Sequence, residues 1–388
     1  MRPKSYAIAN PPRPERAVLV GHVGRDGHDL PRSLEELRRL ADTAGARVLG
    51  TITQRRGGVH PPTFIGKGKV AELKELAQET GADLAIFNDD LSPPQVRNLE
   101  KELDVKVVDR SELILDIFAR RARTRESRLQ VELAQLQYML PRLTGMWKHL
   151  ERQAAGIGTR GPGETQLETD RRFVREKIAR LKDALKRVER ERETQRRRRQ
   201  QRFRAALVGY TNAGKSTLFN ALTRADVFVE DRLFATLDAT TRQMVSPERH
   251  LALVTDTVGF IRKLPHHLVA SFHSTLVEAV EADLLLHVVD AADPDFRRQM
   301  QAVEGVLEGL LEEPRPTVLV FNKLDLVADE DFVAGLVAGY PGAFMVSART
   351  GAGLDRLRAY VWEQAAGRPV GRASGAGRGA GSTRGEDS

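Results

Sequence analysis

The chain has 388 residues, of which 41% are hydrophobic and 29% charged, and it contains no cysteine. This length allows two or three domains, the lack of cysteine excludes disulfides and thiolate metal sites, and no apolar run approaches the roughly 20 residues that span a bilayer. The formal net charge of +8 favours a polyanionic partner, and aromatic residues at 5% disfavour a protein that stacks single-stranded bases on aromatic side chains.

The N-terminal part predicts a small α/β domain. Residues 1–15 are rich in Pro and Arg and lack the features of a signal peptide, so a flexible N-terminus is expected. Over residues 16–110, the apolar runs RAVLVGH, ARVLGTITQ, DLAIFN and VKVVD alternate with the helical patterns SLEELRRLADTA, KVAELKELAQET and SPPQVRNLEKEL. This alternation is typical of a parallel sheet.

Residues 111–203 predict a long antiparallel helical hairpin. Two stripes of apolar residues step by three and four, close to the coiled-coil period: Leu129, Leu133, Leu136, Leu140, and then Val174, Ile178, Leu181, Leu185, Val188. Between them, residues 156–170 contain four glycines and a proline, which predicts a loop at the tip. The second helix ends in RRRRQQRFR, which is either a solvated face or a contact to phosphate.

A second, larger α/β domain is expected over residues 204–366. Its strands are AALVGY, LALVTDT, DLLLHVVD, TVLVFNK and AFMVSA, and helices between them favour a doubly wound sheet. Residues 367–388 are rich in Gly, Arg and Ser and are predicted to be disordered.

A phosphate-binding loop follows the first strand of this domain. Residues 209–216, GYTNAGKS, have the pattern G-x-x-x-x-G-K-[ST] between a strand and the helix TLFNALT. In this pattern backbone N–H groups face a phosphate, Lys215 reaches the terminal phosphates and Ser216 offers its hydroxyl to magnesium.

A phosphate-sensing motif follows the strand LALVT. Asp256 is placed to hold the shell of a magnesium ion, and the N–H of Gly259 is placed to meet a γ-phosphate. The segment RLFATLDATTR lies between the two loops, and a threonine there is expected to bind magnesium through its hydroxyl. Thr236, Thr240 and Thr241 are all chemically eligible.

Two further motifs predict the choice of base. In NKLD, the carboxylate of Asp325 can accept from N1–H and the amino group of guanine, and adenine lacks this arrangement. Asn322 can bond the base or brace the loops, and the stem of Lys323 can cover the base. In SAR, residues 347–349, the N–H of Ala348 is expected to point at guanine O6. Four motifs in this order predict GTP.

Phe260 occupies the place where a water-orienting glutamine is usual, in DTVGFIRKLP. A phenyl ring cannot orient water, so slow intrinsic turnover is expected, no faster than about 10⁻⁴ s⁻¹. The catalytic group is unknown: FATLDATT, the backbone of residues 258–260 or a partner are candidates. A rate increase in Phe260→Gln would support this positional interpretation. For His266, His267 and His273, exposed or capping roles are favoured over catalysis.

These motifs, together with GGVHPPTFIGKGKVAEL and GIGTRGPGETQLETDRR, resemble the HflX family, in the Obg-HflX group of translation-associated GTPases. The resemblance extends from about Ala17 to Gln364 and implies that Thr236 is the magnesium ligand. It also implies the large ribosomal subunit and its RNA as partners, in dissociation of stalled ribosomes or in assembly, with Arg160 at the tip reaching RNA. It further implies ATP as a candidate ligand of residues 57–69, where structural glycines are the favoured interpretation.

The complete prediction is an α/β protein in which a small α/β domain and a long helical hairpin precede a P-loop GTPase domain with a mostly parallel, doubly wound sheet. The metal is Mg²⁺, held by Ser216, Thr236 and, through water, Asp256. The residues predicted to contact GTP or GDP are Gly209, Tyr210, Thr211, Asn212, Ala213, Gly214, Lys215, Ser216, Thr217, Phe234, Ala235, Thr236, Leu237, Asp238, Asp256, Thr257, Val258, Gly259, Asn322, Lys323, Leu324, Asp325, Ser347, Ala348 and Arg349.

A cytoplasmic monomer without stable membrane association is expected. Two alternative functions are an ATP-dependent factor that remodels RNA or ribosomes through its N-terminal domain, and a nucleotide-gated binding protein whose hydrolysis is incidental.

Overall fold

The computed structural model describes residues 14–23, 30–55, 58–145, 162–197, 202–223, 225, 230, 232–248, 250–263, 280–311 and 313–367. Several sequence predictions lie outside these residues: most of the flexible N-terminus, Arg160 in the hairpin tip, part of the RRRRQQ stretch, His266, His267, His273, and the tail from residue 368 onward.

The N-terminal domain is built on a parallel four-stranded sheet in the order β2-β1-β3-β4. Its strands are β1 (Arg16–His22), β2 (Arg47–Gln54), β3 (Leu84–Phe87) and β4 (Lys106–Val108). Its helices are α1 (Leu30–Thr43), α2 (Lys67–Thr80) and α3 (Pro93–Leu103). Every residue of β3 is buried, as expected for a strand covered on both faces. The predicted small α/β domain is therefore present.

Local sequence explains where these helices begin and end. Ser92 and Gln95 form a capping box before α3, and a proline stands in its first turn, where its missing N–H costs nothing. α2 ends at Gly81, whose φ of +61° is in the left-handed region that favours glycine.

The helical region differs in part from the predicted hairpin. It contains α4 (Arg110–Arg121), α5 (Arg125–Met139), the 3-10 helix Arg142–Gly145 and α6 (Pro162–Arg197). α5 and α6 pack together, with Val174 and Leu181 buried and Glu132 paired with Lys177 at 2.7 Å. α4 instead packs against α1 in the N-terminal domain. The predicted loop over residues 156–170 is wrong from residue 162 onward, because α6 begins at Pro162. A proline is compatible with the first turn of a helix.

The C-terminal domain has a six-stranded sheet in the order β10-β9-β8-β5-β7-β6. The strands are β5 (Phe203–Gly209), β6 (Thr240–Val245), β7 (Leu251–Asp256), β8 (Leu284–Asp290), β9 (Thr317–Asn322) and β10 (Phe344–Met345). The helices are α7 (Lys215–Thr223), α8 (Phe296–Leu310), α9 (Glu330–Gly339) and α10 (Leu354–Ala366), with a 3-10 turn at Leu324–Leu326. β6 is antiparallel to β7, and the other paired strands run parallel.

This topology confirms the predicted P-loop fold and locates its ligand site. β5 lies between β7 and β8, and the sheet extends from it in opposite directions. Ligands of such sheets bind beyond the carboxyl ends of the strands at this switch point. Strand β6, which the sequence did not indicate, begins at Thr240, within the last three residues of the segment RLFATLDATTR. None of the described helices is both long and apolar enough to cross a membrane.

Candidate functional site

The phosphate-binding loop joins the end of β5 to the start of α7. Lys215 is buried at 6% exposure, and its Nζ donates to the carbonyl oxygens of Gly209 (3.1 Å) and Tyr210 (2.8 Å). Burial lowers the pKa of Lys215 to about 8, against the opposing charge of Asp256. Gly214 has a φ of +88°, and a Cβ there would lie 2.3 Å from Nδ2 of Asn322. The glycine is therefore required by both backbone conformation and space.

Three oxygen-bearing side chains meet beside this loop. Ser216 Oγ donates to Asp256 Oδ2 (2.7 Å) and lies 2.8 Å from Thr236 Oγ1. Asp256 is fully buried, its pKa is raised by that burial, and its Oδ1 has no hydrogen-bond partner among the described residues. A buried carboxylate with an unsatisfied oxygen, beside two hydroxyls, suits a hard cation and its water shell.

The structure distinguishes among the three candidate threonines. Thr236 lies against Ser216, whereas Thr240 and Thr241 belong to β6. Within the sheet, Thr241 Oγ1 is 2.9 Å from Thr255 Oγ1 on the neighbouring strand β7. Of the three, Thr236 has the placement expected of a ligand to a metal shared with Ser216.

The phosphate-sensing loop lies directly against the phosphate-binding loop. A Cβ on Gly259 would be 2.7 Å from the Cα of Thr211 and 2.9 Å from Nζ of Lys215, so no side chain fits there. The N–H of Phe260 donates to the carbonyl of Gly209 (3.1 Å), and its carbonyl accepts from the N–H of Thr211 (2.7 Å). Thr257 is fully buried, and its hydroxyl donates to the carbonyl oxygen of Leu207 (2.6 Å).

The side chain of Phe260 is a core residue. It is 1% exposed and belongs to a buried apolar cluster that also contains Ile261, Leu233 and Leu37 of the N-terminal domain. The sequence indicated only that a catalytic side chain was missing at this position. The structure adds that the phenyl ring is buried in an apolar cluster to which both domains contribute residues.

The base-side loops are held by Asn322. Its Nδ2 donates to the carbonyl of Ala213 (3.0 Å), and its Oδ1 accepts from the N–H of Ala348 (3.0 Å), so it braces the loops as one alternative predicted. The N–H of Ala348 therefore has an acceptor within the protein, and its use for guanine O6 stays a prediction. The physical reason is that the amide oxygen of Asn322, a residue 1% exposed, needs a donor.

Asp325 is held in a charged setting beside these loops. It accepts from Ser347 Oγ (2.5 Å) and pairs with Arg349 (2.5 Å). The hydrogen bond from Ser347, with a smaller contribution from Arg349, lowers the pKa of Asp325 below its ordinary value. Lys323 Nζ pairs with Asp290 (2.7 Å). Asp325 is therefore anionic at neutral pH and available to two N–H donors on one edge of a base.

Other predicted residues have different placements. Thr217 lies in α7 and Leu324 in the 3-10 turn after Asn322 and Lys323. The side chains of Leu237 and Asp238 contact the N-terminal half of the chain: Leu237 is buried in the cluster shared between the domains, and Asp238 bonds to residues just before α5. Their predicted contact with the nucleotide stays a prediction.

A buried polar network that the sequence did not reveal joins the domains. The hydroxyl of Tyr210 donates to the carboxylate of Glu36 and accepts from the N–H of Arg262 (2.9 Å). Arg110, whose side chain is 2% exposed, pairs with Glu36 and donates to the carbonyl of Arg262 (3.0 Å). No local pattern predicts such contacts, because the residues are separated by up to 174 positions.

The candidate ATP-binding stretch, described from residue 58, has structural contacts. Phe64 and Ile65 are buried in the N-terminal core. The N–H of Gly66 donates to Oε1 of Gln54 (2.8 Å), and Lys69 pairs with Glu72 (2.6 Å). These contacts favour the structural interpretation, and ATP binding here stays a prediction.

Comparisons with known proteins cover most of the chain. Three family descriptions match it: "GTP-binding GTPase N-terminal" at residues 31–119, "GTP-binding GTPase Middle Region" at residues 121–199, and "50S ribosome-binding GTPase" at residues 204–323. A protein named "GTPase HflX" from Caldanaerobacter subterraneus subsp. tengcongensis is 50% identical over 88% of this chain and 79% of its own length. Proteins of the same name from Alkalihalophilus pseudofirmus (53% identical; 81% and 75% covered) and Escherichia coli (48%; 91% and 83%) are similar.

Proposed function

The chain belongs to the HflX family of GTPases, and from this premise we propose that it is a magnesium-dependent GTPase that acts on the large ribosomal subunit. The proposed role is dissociation or rescue of ribosomes under stress, or ribosome assembly, carried out by a cytoplasmic monomer. The large ribosomal subunit is proposed as the partner because residues 204–323 match the family described as a 50S ribosome-binding GTPase.

Guanine selection is assigned to Asp325. Its carboxylate, anionic and fixed by Ser347 and Arg349, accepts from the N1–H and amino groups of guanine. Adenine would leave that charge without donors, which is costly in a partly desolvated site. To bond guanine O6, the N–H of Ala348 has to exchange its present acceptor, Asn322, for the base.

Magnesium is assigned to the cluster of Ser216, Thr236 and Asp256. The two hydroxyls are direct ligands in this proposal, and the unsatisfied Oδ1 of Asp256 bonds a metal-bound water. The metal would neutralise charge on the β- and γ-phosphates. Lys215, held beneath the loop by the carbonyls of Gly209 and Tyr210, adds a fixed positive charge near the terminal phosphates.

Hydrolysis is proposed to be slow in the free protein. The buried ring of Phe260 has no polar atom to offer a water molecule, while Gly259 lies against Thr211 and Lys215 of the phosphate-binding loop. The orienting group therefore comes from the FATLDATT segment, from the backbone of residues 258–260 or from the ribosome, and GTP persists until the partner is bound.

The long helix α6 supports an RNA partner. Phe173 is 59% exposed, although large apolar side chains are usually covered. Arg172 and Arg175 on the same helix are also exposed. An exposed ring with neighbouring arginines suits stacking on an unpaired base and contact with phosphate.

The test is GTP turnover with and without purified large ribosomal subunits, with small subunits and ATP as controls. We expect large subunits to raise the rate of GTP hydrolysis, and ATP to be a poor substrate in both conditions. Phe173→Ala is expected to reduce the stimulation without changing turnover in the free protein. Equal rates with and without large subunits would contradict the assigned partner.

A second candidate is a nucleotide-gated binding protein whose hydrolysis is incidental, and the burial of Phe260 favours it. The two functions differ in what times release from the ribosome. If hydrolysis times it, a non-hydrolysable GTP analogue prolongs the bound state. Equal release rates with GTP and with the analogue would favour the second candidate.

A further inference from the structure

The segment that carries Thr236 is held by the α4–α5 region at points on both sides of the threonine. Residues 232–239 contain no helix or strand, so hydrogen bonds of regular secondary structure do not fix their path. In many GTPases the corresponding segment orders with GTP and loosens after hydrolysis. Here the contacts to α4 and α5 supply a different source of order.

The first anchor is Phe234, two residues before Thr236. It is 1% exposed, and its ring meets that of Phe118 in α4 edge to face, with centroids 4.8 Å apart. Its backbone has a φ of +56°, which is uncommon for a bulky residue and persists only where surrounding contacts impose it. Its N–H donates to Thr211 Oγ1 (2.9 Å) in the phosphate-binding loop.

The second anchor is Asp238, two residues after Thr236. One carboxylate oxygen accepts from the N–H groups of Arg123 (3.0 Å) and Thr124 (3.3 Å), and the other accepts from the hydroxyl of Thr124 (2.6 Å). Thr124 is the N-cap of α5, so the carboxylate lies at the positive end of that helix. The aspartate both receives three donors and complements the helix dipole.

A third contact holds the beginning of the segment. Arg121, the last residue of α4, pairs with Glu230 at 2.6 Å, and both side chains are largely buried. Leu233 and Leu237 are 3% and 2% exposed in the cluster shared between the domains. Contacts to α4 and α5, together with burial in the shared cluster, therefore hold the segment over its described length.

We propose that Phe118 of α4 and Asp238, docked at the N-terminus of α5, are positioning residues that keep Thr236 beside Ser216 for magnesium-bound GTP. This inference rests on the proposed role of Thr236 as a magnesium ligand. Its physical basis is that a ligand binds in proportion to the fraction of protein already in the competent arrangement. Loss of the Phe118 or Asp238 side chain lowers the fraction of protein in the competent arrangement, and in this proposal neither side chain touches the nucleotide or the metal.

The inference predicts an effect confined to the triphosphate form. Thr236 contacts the metal and the γ-phosphate in the proposed site, and GDP lacks that phosphate. If Asp238→Ala reduces the ordered fraction of the segment to about one tenth, affinity for a non-hydrolysable GTP analogue falls about tenfold. Affinity for GDP then changes by less than about twofold, because in this proposal the segment acts through the metal and the γ-phosphate, which GDP lacks.

The experiment measures equilibrium binding of a fluorescent GTP analogue and fluorescent GDP to the full chain over a range of Mg²⁺ concentrations. Asp238→Ala and Phe118→Ala are the test variants, and Asp238→Asn, which keeps an acceptor oxygen, is expected to retain an intermediate affinity. Asp355→Ala is the matched control, because that exposed carboxylate pairs with Arg358 on α10. Hydrogen exchange of residues 232–239 reports order independently of binding.

A double-mutant comparison separates positioning from a general effect on folding. Asp238→Ala should have no further effect on analogue binding when Thr236→Ala is already present. Equal losses for GTP analogue and GDP, or additive losses in the double variant, would overturn the inference. If Thr236→Ala itself spares analogue binding and its Mg²⁺ dependence, the assigned metal site is wrong. If Thr236→Ala weakens analogue binding but Asp238→Ala and Phe118→Ala do not, the proposed metal site is supported and the positioning role is refuted.

Discussion

Substitution of Phe260 by glutamine tests whether this position has an unfilled catalytic role or a structural one. Its ring is 1% exposed and lies in the apolar cluster shared by the two domains. A glutamine there would place its amide in that cluster, away from any water attacking the γ-phosphate. We therefore expect Phe260→Gln to destabilise the protein and to leave intrinsic GTP hydrolysis unchanged or slower.

The magnitude follows from the burial of the ring. Full burial of a phenylalanine side chain stabilises by about 1.5–3 kcal/mol, and a buried amide without partners costs about 1–3 kcal/mol. The methylene groups that glutamine retains offset part of this loss, at about 0.8 kcal/mol each. The net destabilisation is about 3 kcal/mol, which lowers Tm by on the order of 10 °C for a domain of this size.

The assay combines thermal unfolding with single-turnover GTP hydrolysis in the free protein. Phe260→Leu keeps the site apolar and should cost about 1 kcal/mol. The same glutamine substitution at exposed Phe173 controls for the replacement itself and should change the unfolding free energy by less than about 0.5 kcal/mol. A Phe260→Gln variant with unchanged Tm and a tenfold faster rate would refute the structural role and restore the positional interpretation.

Three further predictions concern other parts of the chain. Asp325→Asn should lower GTP affinity by roughly 10- to 100-fold in fluorescence titrations, because a charge-assisted hydrogen bond is worth about 1.5–3 kcal/mol. Gly214→Ala should abolish nucleotide binding in the same titration and lower Tm, because its Cβ would lie 2.3 Å from Nδ2 of Asn322. Burial raises the pKa of Glu112 from 4.5 to about 7, so the folded state binds the extra proton and stability falls as pH rises between these values. Glu112→Gln should therefore be more stable than wild type at about pH 8, by roughly 2 kcal/mol after allowance for partial exposure. At about pH 4.5 the two proteins should have nearly the same free energy of unfolding. Denaturant unfolding at both pH values checks this.

Much of the fold was predictable because its information is local. Strands such as Arg16–His22 and Leu284–Asp290 are short apolar runs bounded by polar residues, and each lies where the pattern predicts. The phosphate-binding loop was predictable for the same reason: its glycines, lysine and serine are contiguous. Strand β6 was not indicated, because Thr240–Val245 has a weak apolar pattern and forms its ladder only against β7.

The boundary of α6 illustrates the limit of composition as a guide. Glycines and a proline over residues 156–170 predict a loop, yet a helix begins at Pro162. Proline breaks the interior of a helix but is compatible with its first turn, where the N–H has no intrahelical partner. Composition alone does not show where a helix starts, so the prediction placed the end of the loop too far along the chain.

The sequence by itself determined the GTPase family and the P-loop fold, because both are encoded by motifs of contiguous residues whose local conformation decides their role. Spacing left three threonines eligible and the family resemblance implied Thr236, and the tertiary structure places Thr236 rather than Thr240 or Thr241 beside Ser216. Only the tertiary structure decided that Phe260 is a core side chain and that Asp238 docks on α5. These placements depend on surfaces more than 100 positions apart in the chain, and their complementarity exists only after both domains have folded and packed.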